Sequence, residues 1–171
     1  MFIISILSIL GCVVLDQLTK YLAQIYLQPV GTMEFIPGVM ELRFVLNDGA
    51  AFSSFAGARW FLILFTGVAI AALAVYLFWK KPESRLERAA IIMMIGGGLG
   101  NLIDRVRTGV VVDFFATTFM NFAVFNVADC FVCIGAALLI IYVFMEEQRK
   151  SKKLHGKGSE AEHGASRSVG R

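Results

Sequence analysis

The sequence predicts an all-α membrane protein, four transmembrane helices with a small extracytoplasmic β region between the first two. Three observations carry this. Of 171 residues, 57% are hydrophobic and the mean hydropathy is +0.71, too apolar for an ordinary water-facing surface. The apolar residues gather into four runs, each near the ~20 residues a helix needs to cross the hydrocarbon. The basic residues stand in blocks at the ends of those runs, without aromatic interleaving, which marks topology and excludes a nucleic-acid groove.

The first span covers 2–22 and carries Asp16 and Lys20, acid before base at i and i+4, the better order for a helical ion pair. They are read either as a pair at the membrane edge with Lys20 snorkelling outward or as support for a site. The start lacks the positive region of a cleavable signal peptide. Ile9-Leu10-Gly11-Cys12 has the form of a lipobox, but the apolar run continues past Cys12. Residues 28–59 have another texture. Pro29, Pro37 and glycines break helix, and Met40, Leu42, Phe44 and Leu46 alternate with Glu41 and Arg43, the period of a strand. Asn47-Asp48-Gly49 then supplies turn chemistry before Ala50-Ala51-Phe52.

The second span, 60–79, ends at Lys80-Lys81-Pro82, and Lys80, Lys81, Arg85 and Arg88 fill the short connection to the third, which places that connection in the cytoplasm. The third span, 89–106, contains Gly96, Gly97, Gly98 and Gly100. Without a following Lys-Ser/Thr or a preceding strand these are no phosphate loop, and they are expected to admit a neighbouring helix backbone. The fourth span, 124–145, completes a domain of residues 1–145. Residues 146–171, rich in charge and without apolar period, are expected to form a disordered basic cytoplasmic tail containing Arg149, Lys150, Lys152, Lys153 and Lys157. Cys12, Cys130 and Cys133 lie within apolar runs and are read as small buried hydrophobes, so neither a disulfide framework nor metal chemistry is expected. His155 and His163 fall in the tail, and no metal or cofactor is expected.

With both termini cytoplasmic, every embedded polar residue reaches one zone near the outer surface: Asp16, Lys20, Asn47, Asn101, Asp104, Arg105, Asp113, Asn126 and Asp129. An ionisable residue at membrane depth costs about 2.5–3.5 kcal/mol on insertion scales, so the group asks for a functional explanation. Two carboxylates brought close cannot both ionise. The ionised one can take a proton from water while its protonated partner polarises a carbonyl, which is aspartic peptide hydrolysis. Asp113, in the apolar Val110-Val111-Val112-Asp113-Phe114-Phe115, and Asp129, in the first turn of its helix, are the candidates. Asn126-Val127-Ala128-Asp129 also has the spacing of a capping box, and the adjacent Asp104 and Arg105 are read as support, with Arg105 orienting a carboxylate or a lipid phosphate. A proton relay or small transporter built on the embedded aspartates would spread its polar residues over several depths. A non-enzymatic chaperone with the same pocket is the other alternative.

The segments Asp16-Gln17-Leu18-Thr19-Lys20, Asn47-Asp48-Gly49-Ala50-Ala51-Phe52, Gly100-Asn101-Leu102-Ile103-Asp104-Arg105, Val112-Asp113-Phe114 and Phe125-Asn126-Val127-Ala128-Asp129, in this order and spacing, resemble the bacterial lipoprotein signal peptidases (signal peptidase II). The likeness covers most of the chain except the tail. It implies four membrane helices with a small extracytoplasmic β-cradle, in the bacterial cytoplasmic membrane. The implied activity is an intramembrane aspartic endopeptidase that cuts diacylglyceryl-modified prolipoproteins just before the lipidated cysteine. The resemblance puts the catalytic pair on Asp113 and Asp129 and site support on Asp16, Lys20, Asn47, Asn101, Asp104, Arg105 and Asn126. It implies no metal or other cofactor, membrane lipids and prolipoproteins as partners, and sensitivity to cyclic peptide antibiotics.

Overall fold

The computed structural model describes residues 2–49 and 57–168, with side chains as far as Ser151; Ala50-Ala51-Phe52 lies outside the described residues. The chain runs α1 (Phe2–Leu22), β1 (Thr32–Ile36), β2 (Met40–Asn47), α2 (Arg59–Val75), α3 (Arg85–Arg107), β3 (Val111–Thr117) and α4 (Val127–Ser168). A wider π-helical turn extends α1 over Ala23–Leu27 and α2 over Tyr76–Lys80. Each of the four predicted spans lies on a helix long and apolar enough to cross a bilayer.

The least apolar of these helices, α3, is the most enclosed. Its mean hydropathy is 1.3 against 2.1 to 2.5 for the others, yet 39% of its span is buried against 17% or less. In lipid the outside is as greasy as the inside, so polar residues must turn inward, and α3 sits between α1, α2 and α4. Its glycines make this possible. A Cβ on Gly97 would stand 2.3 Å from the Ala128 carbonyl oxygen of α4, and one on Gly100 2.4 Å from the Asp16 carboxylate of α1. Away from the polar end, Ile9, Leu77, Ile91, Ile92 and Ile95 form an apolar core, while Trp60, Leu64, Phe65 and Val68 of α2 stay exposed on a lipid-suited face. Ser84 caps α3, its hydroxyl accepting from the Glu87 N–H at 3.4 Å.

The three strands form one antiparallel sheet in the order β1-β2-β3. The predicted strand is β2, but its sheet is not confined to the connection between the first two helices: β3 comes from the connection between α3 and α4. Val111, Val112, Phe114 and Phe115 are β-branched or aromatic, the composition of a strand. β3 is buried along most of its length because Val112 and Phe114 pack on Ala23 and Leu27 at the end of α1. A β-bulge between Leu42 and Val45 breaks the predicted alternation of β2. Leu42 and Phe44 pack toward the apolar cluster, whereas Leu46 is 54% exposed and Asn47 turns toward β3.

Helix α4 runs on past its apolar part to Ser168. The apolar part of α4 has already nucleated the helix, and extending it through Glu146, Glu147, Gln148, Arg149 and Lys150 fixes only one residue per hydrogen bond gained.

Gly100→Ala is expected to destabilise the protein by about 1–3 kcal/mol, as overpacking does, because its methyl would displace Asp16. Gly67→Ala, where an added Cβ meets nothing within 4 Å, should be neutral or slightly stabilising. Thermal unfolding of both variants in the same detergent checks the pair, and equal effects would contradict the close-approach reading.

Candidate active site

The polar residues picked out in the sequence form one hydrogen-bonded network. At its base is Lys20, which is 2% exposed and does not snorkel outward. Its ammonium lies 2.9 Å from Asp16 Oδ2 and 2.8 Å from Asp104 Oδ2, and donates to Asn101 Oδ1 at 2.8 Å. Three oxygens thus meet its three donors, which is what makes a buried ammonium tolerable. Asp16 uses its other oxygen to accept from the Ala128 N–H at 2.9 Å, satisfying one of the orphan amides in the first turn of α4. Asp104 also accepts from Gln17 Nε2 at 2.9 Å. Gln17 was not among the predicted site residues; an amide between Asp16 and Lys20 in an apolar run was the available signal.

The network reaches the two candidate carboxylates through asparagine amides. Because Lys20 occupies Asn101 Oδ1, the Asn101 amide nitrogen faces Asp129 and donates to its Oδ1 at 2.8 Å. Asn126 is the N-cap of α4: its Oδ1 accepts from the Asp129 N–H at 3.0 Å, and Asp129 Oδ2 accepts from the Asn126 N–H at 3.1 Å. The capping box read in the sequence is therefore present, and the same residues also belong to the site. Asn126 Nδ2 donates to Asp113 Oδ1 at 2.7 Å and to Asn101 Oδ1 at 3.0 Å.

Asp113 stands on β3 opposite Val45, and its second oxygen accepts from Asn47 Nδ2 at 2.9 Å. Asn47 is held in turn by the Gly49 N–H, which donates to its Oδ1 at 2.9 Å, while the Gly49 carbonyl accepts from Arg105 Nη2 at 2.8 Å. Arg105 thus anchors the Asn47 turn and does not pair with its neighbour Asp104, which belongs to Lys20. Burial pushes the Asp113 carboxyl up to about 6. The Asn47 and Asn126 donors and the Lys20 charge oppose that rise, and the Asp129 charge adds to it.

Asp113, Asp129, Asn47, Asn101 and Arg105 all line one cavity of about 470 Å³. Its other walls are apolar, from Val111, Phe122, Val124, Phe125 and Val132. Cys130 and Cys133 line it as well. They are free thiols, Cys133 exposed and Cys130 partly so, where the sequence reading had them buried. No group of three or more His, Cys, Asp or Glu side chains suited to a metal occurs among the described residues.

Four membrane-length helices with two hydrogen-bonded carboxylates opening into a mostly apolar cavity define a membrane-embedded enzyme of the hydrolytic kind. A sequence profile described as Signal peptidase (SPase) II matches residues 8–145. The chain belongs to that family and is a protease of the bacterial membrane with several spans. A lipoprotein signal peptidase from Lactococcus lactis subsp. cremoris (strain SK11) is 36% identical over 148 residues, covering 86% of this chain and 98% of the relative. One from Streptococcus pyogenes serotype M2 (strain MGAS10270) is 37% identical over 143 residues, covering 83% and 93%. A bacterial membrane enzyme solved by the in meso method at 2.3 Å superposes with a TM-score of 0.79 at 34% identity, over 85% of this chain and 90% of the other.

Lys20→Met leaves Asp16 and Asp104 buried without their cation and should cost about 3–5 kcal/mol. Adding Asp16→Asn and Asp104→Asn should recover most of that loss. Unfolding curves of the single and triple variants in detergent decide it; a triple variant no more stable than Lys20→Met contradicts the assignment.

Proposed function

We propose that Asp113 and Asp129 share one proton and hydrolyse the peptide bond immediately before the lipidated cysteine of diacylglyceryl-modified prolipoproteins. The observation that carries this is the arrangement of the pair. Two carboxylates supplied by different elements open into one cavity, each fixed by amides tied to the same buried ammonium. The relatives' name, lipoprotein signal peptidase, supports the substrate class.

The environments differ in a way that divides the labour. Asp129 accepts from the Asn101 amide and from a backbone N–H at the start of α4, where the helix dipole favours negative charge. It is the base that removes a proton from the attacking water. Asp113, desolvated on β3, holds the shared proton and donates it toward the scissile carbonyl oxygen as that oxygen gains charge. Hydroxide adds to the carbonyl carbon; as the C–N bond breaks, Asp129 passes its proton to the departing amine and a hydroxyl of the tetrahedral intermediate returns a proton to Asp113 as the new carboxyl group forms. Lys20, Asp16, Asn101, Asp104, Arg105, Asn47 and Asn126 hold the pair.

The basic connection around Lys80 to Arg88 and the basic end of α4 are cytoplasmic by the positive-inside rule, with both termini inside. This puts the sheet and the dyad near the outer leaflet, at the depth of a modified cysteine anchored there by its acyl chains. Lipids surround the spans, and cyclic peptide antibiotics are the inhibitors this reading expects.

Asp113→Asn and Asp129→Asn should each abolish cleavage of a purified diacylated precursor while leaving unfolding curves near those of the unaltered protein; near-normal turnover by either sinks the dyad. Since Asp113 acts in its protonated form, kcat/KM should fall as pH rises through about 6. The Asn47 donor favours the charged form, so Asn47→Ala should move that falling limb to higher pH. A limb that stays put, or moves down, contradicts the assignment of the proton. Cysteine labelling that finds Arg171 outside would overturn the orientation.

A further inference from the structure

The cavity has a wall of main chain as well as side chains. Between β3 and α4, Phe125 bridges Phe115 in antiparallel fashion. The Phe125 N–H donates to the Phe115 carbonyl at 3.0 Å, and the Phe125 carbonyl accepts from the Phe114 and Phe115 N–H groups at 3.0 and 2.8 Å. Both polar groups of Phe125 are thus committed to β3.

In an extended chain the N–H and C=O of one residue point to one side and those of the next residue to the other. The groups of Val124 therefore point away from β3. Val124 and Ala123 line the cavity that holds Asp113 and Asp129, and no hydrogen bond to the Val124 N–H or C=O occurs among the described residues. A partly buried backbone pair without an internal partner needs water or a ligand. Beside it, Phe122, Val132 and Cys133 give the cavity an apolar lining but few side-chain donors for a peptide.

We propose that the substrate binds as an added strand against residues 123–125, pairing its own main chain with the Val124 N–H and C=O and so laying the scissile bond across Asp113 and Asp129. The inference rests on the peptidase reading above. Its occupant is an extended peptide, because one residue offering both a donor and an acceptor on one side of the chain is the repeating unit that a β-strand pairs with. Such pairing reads no side chain. It fixes the depth and direction of the backbone while the side chains alternate between the apolar wall and the opposite side. Amino-acid sequence is then discriminated weakly by this wall, and placement of the bond depends on the main chain.

The test is an ester scan of the substrate. In a synthetic diacylated precursor, single backbone amides at four successive positions upstream of the cleaved bond are replaced by esters, which removes one N–H donor without adding bulk. Initial rates are measured with the full-length enzyme in one detergent. The expected pattern is a single sensitive position: about tenfold lower kcat/KM where the lost N–H faced the Val124 carbonyl, and less than about twofold at the other three. Val124→Pro, which removes the enzyme's own donor, should lower kcat/KM on the all-amide precursor by a similar factor. A flat or steadily graded scan overturns the strand pairing while leaving the peptidase reading intact. Failure to cleave the all-amide precursor at all overturns both. If Val124→Pro does not fold, the scan on the unaltered enzyme still decides.

Discussion

Everything at the polar end of this protein depends on how one ammonium group is satisfied inside the helix bundle. Lys20 is buried with three donors, and its acceptors come from α1 and α3: Asp16, Asp104 and the Asn101 side chain. This choice of acceptors sets the orientation of the Asn101 amide, since an oxygen turned to Lys20 leaves the nitrogen for Asp129. Asn126 is then fixed between Asn101 and Asp113. The chain of consequence runs from a buried cation to two carboxylates without any of them touching it. Among the described residues, four acidic groups of this region face Lys20 and Arg105, and the proton that the proposed mechanism shares between Asp113 and Asp129 would relieve the excess negative charge.

Backbone geometry brings the second carboxylate within reach. A regular β2 would have put Leu46 on the packed face and Asn47 on the opposite one. The bulge after Leu42 reverses that, exposing Leu46 and directing Asn47 at Asp113. On the helix side, Gly97 and Gly100 let α1 and α4 close on α3, and that approach carries the Asp16 oxygen to the Ala128 N–H at the start of α4. The apolar bundle supplies the contact, and the bulge and glycines supply the alignment.

Much of this was legible in the sequence because the bilayer imposes strong rules. Four runs of the right length give the spans, and a polar residue in such a run is costly enough to be informative, so nine residues of the network stand out individually while Gln17, beside Asp16, does not. Local signals failed where long-range contacts decided the outcome. Lys20 at a helix end looked free to reach the surface, and only the distant Asp104 and Asn101 show why it stays inside. The Val111 to Phe115 stretch does not read locally as a strand, because a lone apolar run of that length does not announce a sheet partner, and its partner β2 lies far upstream. Cys130 and Cys133 read as buried thiols because helix periodicity alone does not reveal a cavity at one flank of α4.

The proposed mechanism puts a single proton on Asp113 in the resting enzyme. Infrared difference spectroscopy of the unliganded full-length protein in lipid, comparing the unaltered chain with Asp113→Asn across a pH titration, reads it directly. The account predicts a protonated-carboxyl stretch that is present at low pH, disappears as pH rises through about 6, and is missing from Asp113→Asn. A protonated-carboxyl band that persists unchanged in Asp113→Asn, or none at any pH in the unaltered protein, would contradict it.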